Sequence, residues 1–122
     1  ARPRVLIVED DALLAFDLKL RLERVGFRIV GPTALVADAL KLIRCAGCDT
    51  AVLDINLGRN NTSEPIAREL AERGIPFLTV TGYSHAQRPA AFDGAPHLAK
   101  PVRTQALVTA LHATLDGWGP WL

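Results

Sequence analysis

The chain has 122 residues, enough for one domain and hardly two. Hydrophobic residues make up 49%, charged residues 22%, and the net charge is +1, which argues against disorder and leaves no basic surplus for nucleic acid or an anionic membrane. No apolar run approaches the ~20 residues that span a bilayer, and "ARPRVLIV" enters a strand-like run with no h-region or cleavage site, so a cytoplasmic location is expected.

Five short apolar runs alternate with helical patterns. "RVLIV" (4–8) predicts the first strand; Leu14, Leu18, Leu22 and Val25 then form the stripe of a helix that Gly26 ends. "FRIVG" (27–31) predicts a second strand closing at Gly31-Pro32. The next helix has Val36, Ala39, Leu40 and Ile43 on one face and ends before Gly47. "TAVLD" (50–54) predicts the third strand. The helix after it takes Ser63 as N-cap, Pro65 in its first turn and a stripe of Ile66, Ala67, Leu70 and Ala71, with Gly74 beyond its end. "PFLTVT" (76–81) and "HLA" (97–99) predict the last strands, and 84–92 between them is a poor helix because Pro89 lies inside it. Leu107, Val108, Leu111 and Leu115 mark the final helix.

The first, third and fourth runs are almost wholly apolar, as parallel strands buried on both faces require. Repeated strand–helix alternation predicts an α/β domain, a doubly wound parallel sheet. The pattern stops near Asp116, so residues 1–116 are read as the domain and 117–122, with Trp118 and Trp121, as a C-terminal tail.

Cys45 and Cys48 form "CAGC", half a zinc site or a redox pair in principle. Zinc would need two further ligands, and His85, His97 and His112 form no second cluster. A redox pair should open a helix, whereas this one closes one. Two incidental thiols are expected. The sequons at Asn60 and Asn61 read as a polar loop.

In open parallel sheets, ligands bind beyond the carboxyl ends of the strands. There the sequence places Glu9, Asp10 and Asp11 after the first strand, Asp54 and Asn56 at the third, Thr81 at the fourth and Lys100 after the fifth. Each has a plain structural use: Asp10 or Asp11 as an N-cap, Thr81 as a β-branched strand residue, Lys100 as a solvated lysine. Together they suggest more. Carboxylates from Asp10 and Asp54 on neighbouring strands would repel unless a proton or cation lay between them. An all-oxygen cluster suits a hard ion, Mg2+ rather than zinc. A divalent ion beside a nucleophilic carboxylate, with an amine and a hydroxyl opposite, is a phosphoryl-transfer arrangement. A phosphohydrolase of the aspartyl-phosphate type wants an acid two residues after its nucleophile, where this chain has Asn56. A nucleotide-binding module lacks its G-x-G-x-x-G after the first strand.

The segments "VLIVEDD", "AVLDINL", "TVTGY" and "HLAKPV" stand in the order and spacing of a known family. Over essentially the whole chain, to about residue 116, it resembles the receiver domain of two-component response regulators. The resemblance implies a flavodoxin-like sheet of order 2-1-3-4-5. It implies a switch, not a turnover enzyme, with Asp54 phosphorylated from a phosphohistidine on a sensor histidine kinase. Mg2+ would be the cofactor, held by Asp10, Asp54, the backbone carbonyl of Asn56 and, through water, Glu9. Thr81 and Lys100 would each meet a phosphoryl oxygen, and the Lys100–Pro101 peptide would be cis. Phosphorylation would draw Thr81 inward, move the loop after the fourth strand and turn an aromatic residue on the fifth. That aromatic position holds His97, which puts the rotamer coupling in doubt.

The loop "GRNNTSEPIA" departs from the family. With "GIPFLTVTGY" it resembles a subgroup of stand-alone receivers found with HWE-class kinases. Output is then expected through a protein partner on the surface formed by 76–81, 84–92, 97–99 and the last helix. A phosphate-sink role is the alternative, and a monomer or weak dimer is expected, with no nucleic acid or membrane.

Overall fold

The computed structural model describes residues 2–82 and 89–115. Its elements are β1 (Arg4–Val8), α1 (Ala12–Arg24), β2 (Arg28–Thr33), α2 (Val36–Cys45), β3 (Thr50–Asp54), α3 (Glu64–Glu72) and β4 (Phe77–Thr81). A 3-10 turn (Ala90–Phe92), β5 (His97–Ala99) and α4 (Thr104–Thr114) follow. All strand pairs are parallel, in the order β2-β1-β3-β4-β5. The expected doubly wound sheet of order 2-1-3-4-5 is therefore observed.

Alternation along each strand builds two cores. Val5 and Ile7 of β1 face Leu18 and Leu22 of α1 and Leu107 and Leu111 of α4. Leu6 and Val8 face the other way, onto Ala39 and Ile43 of α2 and Ile66 and Leu70 of α3. Every residue of β3 and β4 is buried, which is why those runs are continuous in apolar character. Each large side chain so enclosed contributes about 1.5–3 kcal/mol of transfer free energy.

The second strand continues past its expected end at Gly31, through a cis Gly31–Pro32 peptide, to Thr33. An edge strand tolerates a residue with no N–H to donate, and β2 is an edge. Gly31 has φ +89, and a Cβ there would meet Thr33 N at 3.1 Å and Ile7 O at 3.3 Å. The turn beyond is tied back to β1, because Glu9 N donates to Thr33 O at 3.0 Å.

One helix start is capped as the sequence allowed, while other helix ends depart from expectation. Asp11 is the N-cap of α1, its Oδ1 accepting from Leu13 N and Leu14 N at 3.0 and 3.2 Å. Ser63 stands at the N-cap of α3 but makes no capping bond; instead Thr62 Oγ1 accepts from Glu64 N at 3.3 Å. Val25 and Ala71, expected on buried stripes, are exposed, Val25 because it has become the C-cap of α1. Of the poor helix at 84–92, residues 84–88 lie outside the described residues; the remainder holds Pro89 and the 3-10 turn, whose Phe92 is fully buried against the α2/α3 core. No helix among the described residues is long and apolar enough to cross a membrane. Trp118 and Trp121 also lie outside them.

Candidate functional site

Parallel winding delivers the carboxyl ends of four strands to one edge of the sheet. Asp54 is the last residue of β3, and 5% of it is exposed. Glu9, one residue beyond β1, is 3% exposed. Lys100 follows β5 and its Nζ donates to Glu9 Oε1 at 2.9 Å and to Asp54 Oδ2 at 3.1 Å. Its backbone N–H donates to Thr81 O at 3.0 Å, which fixes the end of β4 beside it. Thr81 itself is buried.

Two neighbouring acids divide the work expected of them. Asp11 is spent on the helix cap, while Asp10 remains exposed beside Glu9. Carboxylate oxygens of Glu9, Asp10 and Asp54 all lie within 4.8 Å of one another. The acid that shares burial with Asp54 is Glu9, not the Asp10 singled out for repulsion. Burial, followed by the hydrogen bond and charge of Glu9, pushes Asp54 up to about 7, against the downward pull of Lys100. Burial alone would lower Lys100, but hydrogen bonds to Glu9 and Asp54 and their charges hold it above the usual lysine value.

Sequence reasoning overlooked Gly58. Its φ is +77, and a Cβ there would come to 3.3 Å from Asp10 Oδ2. A side chain would crowd the acid on its open side, and the only hint was a glycine four residues after Asp54. Asn56 is exposed and pairs with Thr62 in an antiparallel bridge. Tyr83 lies outside the described residues. The donor set is oxygen alone, without imidazole or thiolate, and so fits a hard divalent cation.

His97 pairs in register with Thr79 of β4, with Nδ1 2.9 Å from Thr79 Oγ1. This polar tie between strands was also missed, since motif membership of the two residues says nothing of their pairing across strands. The cysteines are both free thiols: Cys45 is exposed at the end of α2, and burial pushes Cys48 up to about 11. Neither belongs to the acidic cluster.

Fold and site together define a doubly wound α/β protein with a lysine-braced acidic pocket at the carboxyl edge of its sheet. The model of the response regulator receiver domain matches residues 5–112, and the chain belongs to that family. It is 27% identical to the transcriptional regulatory protein PdtaR of Mycobacterium tuberculosis, across 93% of this chain and 57% of that protein. The chain thus spans little more than half the length of that relative. The solution structure of SdrG from Sphingomonas melonis is 39% identical, with a TM-score of 0.80, covering 93% of this chain and 97% of SdrG. A CheY-like receiver domain from Methanospirillum hungatei superposes with a TM-score of 0.84 at 24% identity, covering 96% of each chain, a likeness of fold. Family membership supports a phosphorylation-controlled signalling role.

Proposed function

We propose that the chain is a phosphorylation switch whose acceptor is Asp54 and whose donor is the phosphohistidine of a sensor histidine kinase. The observation that carries this reading is the placement of Lys100 Nζ between Glu9 and Asp54, with Asp10 beside them. An Asp54 oxygen attacks phosphorus, the phosphorus–nitrogen bond to the donor imidazole breaks, and the imidazole leaves with the bonding pair. The product is an acyl phosphate. Lys100 then has a phosphoryl oxygen to neutralise in place of a carboxylate. Glu9, Asp10, Asp54 and the carbonyl of Asn56 are the residues that would hold Mg2+. When bound, Mg2+ supplies charge neutralisation for the phosphoryl oxygens.

Thr81 ends the strand between β3 and β5, and its hydroxyl would follow the phosphoryl group. Its backbone carbonyl is already bonded to Lys100 N, so movement there passes directly to β5. Output runs through a protein partner reading the surface of β4, β5 and the segment between them. Incubation with acetyl phosphate and Mg2+, followed by intact-mass measurement, should add one phosphoryl group to the wild type and none to Asp54→Asn. Equal incorporation in that variant would sink the acceptor assignment.

A further inference from the structure

Between Asp54 and α3 the chain folds into a small hairpin. Ser63 N donates to Ile55 O at 2.9 Å, Leu57 N to Asn61 O at 2.9 Å and Asn61 N to Gly58 O at 2.8 Å. Ile55 and Leu57 are buried while Asn56 between them is exposed, so the hairpin is anchored on one face.

Three consecutive residues at its tip are left-handed: Gly58 at φ +77, Arg59 at +49 and Asn60 at +64. Glycine adopts this conformation freely and asparagine tolerates it, but for arginine it is strained. Gly58 sits against Asp10, and Arg59 is the next residue, about 3.8 Å further along the backbone. Arg59 is exposed and makes no ion pair or side-chain hydrogen bond among the described residues. The ammonium of Lys100, by contrast, is already engaged by Glu9 and Asp54. Arg59 therefore carries an unengaged guanidinium one residue from the backbone that lies against Asp10, and its planar fork suits the oxygens of an incoming phosphodonor.

We infer that Arg59, held beside the acidic cluster by this strained hairpin, binds spectator oxygens of the incoming phosphoryl group and sets donor affinity. The inference rests on Asp54 being the acceptor. It distinguishes a specific contact from a general positive field, since Arg103, exposed three residues after Lys100, adds the same charge to the same edge.

The test measures initial rates of phosphoryl incorporation into Asp54 of the full chain against acetyl phosphate concentration, with Mg2+ and intact-mass detection. Arg59→Gly accepts the left-handed backbone without strain, so its melting temperature should hold. Its half-saturating donor concentration should rise about tenfold, the loss of one charge-assisted hydrogen bond. Arg59→Lys should recover part of that loss, and Arg103→Ala should stay within about twofold of wild type. Half-saturation of Arg59→Gly within about twofold of wild type, or an equal loss in Arg103→Ala, overturns the inference and leaves the acceptor reading intact. Absence of incorporation into wild-type Asp54 overturns both.

Discussion

Lys100 and Asp54 meet across the full width of an intervening strand: one follows β5, the other ends β3, and Nζ donates to Oδ2 at 3.1 Å over the end of β4. The same ammonium also meets Glu9. One cation is thus balanced against two buried acids, with Asp10 adding a third charge at the rim. Such a site is under-neutralised at neutral pH and stores a demand for positive charge.

That demand has a pH signature. Folded Asp54 keeps its proton up to about 7, against 3.8 ordinarily. Between those values the folded state binds more protons, so the stability this group contributes is complete below the lower value and lost as pH rises through the upper one. In Mg2+-free buffer, Asp54→Asn should gain about 1–3 kcal/mol at pH 8 and almost nothing at pH 4. Thermal melts at the two pH values check it, and an equal gain at both would contradict the assignment.

Lys100→Ala should do the reverse. It leaves Glu9 and Asp54 buried together without a counter-charge, at a cost of about 2–4 kcal/mol at pH 8 and less in acid, where the carboxyls protonate. Denaturant titration reads the stability. The same variant should also be phosphorylated more slowly by acetyl phosphate.

Thr81→Ala separates acceptance from response. Losing one buried hydroxyl costs about 1 kcal/mol and leaves Asp54 in place. Phosphorylation should still proceed, whereas the change in amide exchange across His97–Ala99 on phosphorylation should shrink. An undiminished exchange response would remove Thr81 from the coupling.

The two thiols should differ in reactivity. Exposed Cys45 should be alkylated readily in the native protein, and Cys48, with its thiol pushed up to about 11, should be protected until unfolding. Mass spectrometry after brief treatment with iodoacetamide should find one adduct.

The fold was legible in the sequence wherever burial was uniform. β3 and β4 are enclosed on both faces, so the run expected for β3 matches its bounds and that for β4 is long only by Pro76. The edge was less legible: β2 is half-exposed, and a proline usually closes a strand, so its extension to Thr33 went unseen. In the site, residue types and strand ends located Asp54, Thr81 and Lys100, but their spacing along the chain could not divide labour among Glu9, Asp10 and Asp11. That division depends on where α1 begins, and a cap is settled by backbone angles. The tie between Thr79 and His97 was hidden for a related reason, since it depends on β4–β5 register, which no local pattern encodes.

The two borders of the sheet have a consequence for self-association. On one side, Pro32 interrupts the row of amide donors that a neighbouring strand would need; on the other, β5 is only three residues long. Neither offers a good template for adding a strand from another molecule. Any pairing of two copies is therefore steered toward helical faces and away from a continuous intermolecular sheet, a fibre-forming route this chain closes at both ends.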